Sequence, residues 1–138
     1  MDFDRFVAAQ DPVFASVLDE LRKGAKRGHW MWFVFPQIAG LGHSDMARAF
    51  AIPSLADARA YLAHPVLGTR LRQAVEATLS ASGRAQAIFG AVDAMKLRSS
   101  MTLFERAAAD EEKGPTLFAR ALDRFYEGSA DPETLARL

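Results

Sequence analysis

Six large apolar residues run without interruption from Trp30 through Met31, Trp32, Phe33 and Val34 to Phe35, with His29 before them and Pro36-Gln37 after. A segment with no polar face has to be covered on all sides, so it lies inside the protein and the rest of the chain is obliged to surround it. A short continuous apolar run fits either a buried strand or a buried helical turn, and periodicity does not separate them. No second strand pattern is available to pair with it, which points to helix. The run also stops at a proline, well short of the roughly 18 apolar residues that mark a membrane span.

The surrounding sequence supplies amphipathic helices to cover this wall. Asp11-Pro12 reads as a cap and first helical position, after which Phe14, Val17, Leu18 and Leu21 recur at helical spacing until Gly28 can end the helix. A shorter helix with Phe3, Phe6 and Val7 precedes it over Asp2 to Gln10. Ser44 caps a helix through about Phe50, and Ser54 opens another that stops at His64-Pro65. Pro65 begins a helix with Leu67, Leu71, Ala74, Val75 and Leu79 on one face through Ala81. Ile88-Phe89-Gly90 reads as a hydrophobic turn. Asp93 caps a long helix carrying Leu97, Met101, Phe104 and Ala108, Pro115 starts one that Gly128 ends, and Asp131-Pro132 restarts a short tail. With no flexible linker or internal repeat, residues 1–138 are expected to form a single all-α domain of about six to eight helices.

At 138 residues, 50% of them hydrophobic and 25% charged, the chain has ordinary globular composition and enough length to bury a core. Seventeen basic residues balance 17 acidic ones, so no global field draws the protein to nucleic acid or to an anionic membrane. The absence of cysteine excludes disulfides, thiolate metal sites and a cysteine nucleophile. Without a secretory signal the expected location is cytoplasmic.

Four places combine apolar anchors with polar groups. Trp30, Trp32, Phe33 and Phe35 would line a slot for a flat ring, with His29 and Gln37 as hydrogen-bonding ends, although an aromatic run is more often plain core. Gly40-Leu41-Gly42-His43-Ser44 enters a helix and would let backbone approach an anion, but it lacks the spacing of the P-loop and dinucleotide fingerprints. In the long helix, Lys96, Ser99, Ser100 and Thr102 crowd polar groups among core residues. Lys96 with Ser100 would suit a serine–lysine dyad, anion binding is a second use, and a lysine paired with Asp93 beside close-packed serines is the structural alternative. His64 and Arg70, at a helix junction, would suit a phosphate or carboxylate. Arg22, Lys23, Lys26 and Arg27 complement a helix C-terminus, which alone does not imply nucleic acid. His29, His43 and His64 lack the spacing of a helical zinc motif, and no cofactor is called for.

The segments His29 to Gln37, Gly40 to Ser44, Tyr61 to Leu71, and Ile88-Phe89-Gly90 through Lys96 to Phe104 together resemble the signature of the domain-of-unknown-function 1810 family. The resemblance spans nearly the whole chain and implies a small, single-domain, mostly helical fold. Some members of that family carry a calpastatin-like label, which does not suit an apolar, aromatic, globular chain. The resemblance brings no catalytic residues with it.

The expectation for function is a cleft formed by His29, Trp30, Trp32, Gln37, Ser44, His64, Arg70, Lys96, Ser99 and Ser100, binding or acting on an anionic ring-bearing small molecule such as a nucleotide derivative. The alternative is a protein-interaction module without catalytic activity, in which the polar motifs only hold helices together. A nucleic-acid binder is the weakest of the three readings.

Overall fold

In a computed structural model that describes residues 1–109 and 114–138, the helices follow in the order α1 (Asp4–Gln10), α2 (Phe14–Lys23), α3 (Met31–Val34), α4 (Asp45–Ala49), α5 (Leu55–Ala63), α6 (Leu67–Ser80), α7 (Ala85–Phe89), α8 (Ala91–Ala108), α9 (Leu117–Tyr126) and α10 (Pro132–Leu135). The apolar wall is therefore a single helical turn, α3, buried except for the side of Trp32. No strand forms among the described residues. One isolated parallel bridge joins Ile38 to Ile52, with Ile52 N donating to Gln37 O and Ala39 N to Ile52 O, each at 2.9 Å.

Six of the described helices have seven or more residues, and the single-domain all-α class expected from the pattern is what forms. Capping explains several boundaries. Ser44 accepts from Ala47 N, Ser54 from Asp57 N, Thr116 from Ala119 N and Asp131 from Glu133 N, so four helix starts spend a side chain on an orphan donor. Several boundaries differ from the sequence expectation: Asp93 does not cap the long helix but lies in the first turn of α8, which starts after Gly90. Asp11 is the residue after α1 rather than the cap of α2, and α2 ends at Gly24 in a left-handed conformation (φ +70°), four residues before Gly28. The segment around Ile88-Phe89 is a short helix, not a turn, and Gly90 (φ +81°) separates it from α8.

The 18-residue α8 runs through the middle, packed against α5, α7, α9 and α10, while α6 packs on α2, α5 and α9. A line of aromatic rings crosses the core: Phe6 lies 5.4 Å from Tyr61, Tyr61 5.4 Å from Phe104, and Phe104 5.8 Å from Phe118. All four are fully buried. Each such ring contributes about 1.5–3 kcal/mol of hydrophobic stabilisation. Burial also pushes the Tyr61 phenol above its ordinary pKa, so it remains a neutral hydrogen-bonding group. It accepts from the buried Gln10 amide, whose Nε2 also donates to Phe33 O at 2.6 Å and thereby ties α1 to α3.

Candidate functional site

The two tryptophans end up in different surroundings. Trp30 is buried, and its Nε1 donates to Glu20 Oε1 at 3.2 Å. The same carboxylate oxygen accepts from Arg27 N and Gly28 N. Burial alone would raise the pKa of Glu20, but these three donors, with Lys26 nearby, hold it below the usual range. Lys26 Nζ sits 4.9 Å over the Trp30 ring and pairs with Asp93 Oδ2 at 2.8 Å. Asp93 Oδ1 faces Lys96 Nζ at 3.6 Å, and that ammonium stands 5.0 Å over the half-buried Trp32 ring. Two lysines thus share one carboxylate, leaving positive charge where Trp32 meets solvent.

Two hollows meet at Gln37. One, of about 370 Å³, runs between Leu41 and Gly42 on one side and Lys96, Ser99 and Asp131 on the other. The second lies under Trp32 and Phe50, beside Gly40 and Ala47. Both share Gln37, Gly42 and Ala47, so they form one trough. The Ile38 to Ile52 bridge fixes the backbone at its floor. The Gln37 side-chain amide makes no hydrogen bond to the described residues and lines both hollows, leaving its donors and acceptors for a ligand or water.

Of the ten residues picked from sequence, Trp32, Gln37, Lys96 and Ser99 line this trough. Trp30 stands behind it, linked through Lys26 and Asp93. The others do not line it. His29 is exposed in the turn before α3, and Ser44 spends its hydroxyl on capping α4. His64 Nδ1 accepts from Val66 N and Leu67 N, both at 3.2 Å, while its ring packs edge-on against Phe3. Arg70 pairs with Asp11 at 2.7 Å and lies over Phe14, joining α6 to the α1–α2 turn. Ser100 is fully buried and its hydroxyl has no partner among the described residues.

No serine–lysine dyad forms with this arrangement, because Lys96 faces Asp93 and makes no hydrogen bond to Ser100, whose hydroxyl has no partner among the described residues. The basic group ahead of His29 is also dispersed: Lys23 pairs with Asp19 in the same helix, and Lys26 is turned inward to Asp93. No cluster of three His, Asp or Glu side chains suited to a metal occurs among the described residues. No helix among them is long and apolar enough to cross a membrane.

Sequence reasoning missed Asp131, which appeared only as a helix start. Ser99 Oγ donates to Asp131 Oδ2 at 2.6 Å, Thr134 Oγ1 donates to the same oxygen at 2.7 Å, and Asp131 N donates to Thr102 Oγ1. This sets α10 against α8 at the end of the trough. Burial by itself would raise the Asp131 pKa; the donors from Ser99, Thr134 and Glu133 N, with Arg98 nearby, hold it below the ordinary value. A depressed folded-state pKa contributes stability that is complete above the unfolded value of about 3.9 and is lost as pH falls through the folded value. Asp131→Asn is therefore expected to flatten the acid limb of a urea-midpoint profile while costing stability at neutral pH. An acid limb as steep as in the parent would show that Asp131 contributes nothing to it.

Fold and site together define a small all-α domain with a partly charged trough between one long helix and a glycine-bearing loop. The chain belongs to the family described as protein of unknown function (DUF1810), whose model matches residues 1–138. It is similar over its length to the conserved hypothetical protein Rv1873 from Mycobacterium tuberculosis, known from a crystal structure, at 48% identity and a TM-score of 0.94, with 99% of this chain and 96% of that one covered. No curated protein matches the chain.

Proposed function

We propose that the protein binds an anionic, ring-bearing small molecule, such as a nucleotide derivative, in the trough between the Gly40 to Gly42 loop and α8. The observation that carries this is the Lys96 ammonium, sharing its carboxylate with a second lysine, over the half-buried Trp32 ring. Lys96 shares Asp93 with Lys26, so the pair of lysines keeps a net positive charge beside Trp32. A ring laid against Trp32 would bring its attached anion to Lys96 and its polar edge to the uncommitted Gln37 amide. The Ser99 hydroxyl donates its hydrogen bond to Asp131, which leaves its oxygen lone pairs to accept from a ligand. The polar groups suit recognition: the carboxylate beside Ser99 also accepts from Thr134 Oγ1 and Glu133 N, and Lys96 is paired with Asp93.

Titration of the protein with nucleotides and phosphorylated metabolites, followed by tryptophan emission in a Trp30→Phe background, reads Trp32 alone. A saturable change is expected with at least one ligand class. Lys96→Ala should weaken it by about tenfold or more, since a charge-assisted bond is worth roughly 1.5–3 kcal/mol. Gln37→Ala should weaken it with little effect on thermal stability. Emission that stays flat across the panel, or a response retained in both variants, would remove the proposal.

A second reading, a surface for a protein partner, is favoured by one observation. Val92 and Met95, 67% and 72% exposed, stand one turn apart on α8 at the trough's rim. Binding of a peptide or protein that Met95→Glu abolishes and Lys96→Ala leaves intact would favour it.

A further inference from the structure

On the other flank of α8, a groove of about 630 Å³ separates the Gly83 to Gln86 segment at the start of α7 from the end of α9, with Arg84, Arg98, Arg124, Tyr126 and Glu127 along it. Met95 and Arg98 line both this groove and the trough, so they form the ridge between the two. We infer that the groove is a separate anion site that takes an oligophosphate chain, either free or as the arm of a larger molecule.

The charge balance is the reason. None of the three arginines is ion-paired among the described residues. Arg124 donates from Nη1 to Leu79 O at 3.0 Å and from Nη2 to Ala81 O at 2.8 Å and Gly83 O at 3.1 Å. Arg98 donates from Nε to Ser129 O and from Nη2 to Ser129 Oγ and Ala130 O. These acceptors are neutral, so they fix the two guanidinium groups in place; only Arg98 has a carboxylate near enough, Asp131, to offset part of its charge. Each keeps unspent donors, Nη1 on Arg98 and Nε on Arg124. Arg84 is exposed, and its side chain makes no hydrogen bond or ion pair within the described residues, while its carbonyl accepts from Ala87 N and Ile88 N at the start of α7.

Carbonyl clamping at helix ends accounts for where Arg98 and Arg124 sit. It does not account for a third, unattached arginine along the same groove with Glu127 as the only carboxylate lining it. A single phosphate would neutralise one of these cations; a chain of phosphates matches several, and the clamped side chains have little rotamer entropy left to lose on binding. The Tyr126 hydroxyl, which donates to Ala94 O, closes the groove floor as a neutral group.

The test is calorimetric titration of the full chain with inorganic tripolyphosphate at low salt, with ATP as the second ligand. Saturable binding that weakens as salt is added is expected, with Arg84→Glu reducing affinity by about tenfold or more and Arg84→Gln by less. The Arg84 side chain has no hydrogen bond or ion pair to lose, so circular dichroism should show both variants folded. Lys96→Ala should leave tripolyphosphate binding unchanged. Equal sensitivity of ATP and tripolyphosphate to Arg84→Glu would identify the phosphate chain as what is recognised, whereas tripolyphosphate alone being sensitive would mean a free oligophosphate. The inference is overturned by an absence of saturable heat, by binding indifferent to Arg84→Glu, or by tripolyphosphate binding lost in Lys96→Ala. That last result would place the anion in the trough and support the ligand proposal made for it.

Discussion

Gly68→Ala is expected to destabilise the protein by about 3 kcal/mol or more, the upper end for forcing an atom into a packed interior. Gly68 is buried in the first turn of α6, where the chain has just turned back from α5. A Cβ there would press into the Leu62 carbonyl, with the carbonyl carbon only 2.8 Å away. Backbone cannot rotate aside as a side chain can, so the two helices would have to separate. The same Leu62 oxygen accepts from Arg72 Nη1 at 3.3 Å, and that bond would be disturbed as well. Alanine's better helix propensity returns at most about 1 kcal/mol. In thermal unfolding, a loss of this size corresponds to a midpoint lowered by roughly 10 °C for a chain of this length. A midpoint within a degree or two of the parent would mean the α5–α6 junction opens without cost.

The second large effect is expected at Gln10. In Gln10→Leu, volume is nearly kept but Phe33 O and the Tyr61 hydroxyl both lose their donor in a dry interior. Each buried group left without a partner costs about 1–3 kcal/mol, so about 2–6 kcal/mol in all is expected from urea unfolding. Adding Tyr61→Phe removes one of the two abandoned groups and should recover part of the loss, a coupling that a double-mutant cycle measures. Strict additivity of the two substitutions would contradict the proposed bond. Because Gln10 holds the one-turn helix α3 through its backbone, the emission of Trp32 next door should shift in the single variant.

Elements with local causes were legible in the sequence. Ser44, Ser54 and Asp131 cap the helices that follow them because a cap is made within three residues, and the lack of a strand partner was enough to assign the apolar wall to helix. The end of α2 was not legible. Gly24 and Gly28 are both able to stop a helix, and the choice is made by distant groups: Lys26 N donates to Ile88 O, and Glu20 draws in the amides of residues 27 and 28.

The trough shows the same division. Trp32, Gln37, Lys96 and Ser99 were identifiable because each is a polar or aromatic group crowded by core residues nearby in sequence. His64 and Arg70 carried the same look, but their polarity is spent on Val66, Leu67 and Asp11. Asp131 reaches Ser99 across 32 positions, a pairing that no local pattern encodes. The exposed rim formed by Val92 and Met95 was equally hidden, since helical spacing alone does not tell which apolar residues are left uncovered.

Two sides of α8 have separate tasks: Asp93, Lys96 and Ser99 serve the trough and its charge network, while Ala94, Leu97, Met101 and Phe104 are buried in the core. Adding or deleting one residue within it would turn everything downstream by about 100°. Such a change near Lys96 would carry Ser99 away from Asp131 and Phe104 out of the aromatic line together. Length variation among homologous chains is therefore expected to be excluded from this helix.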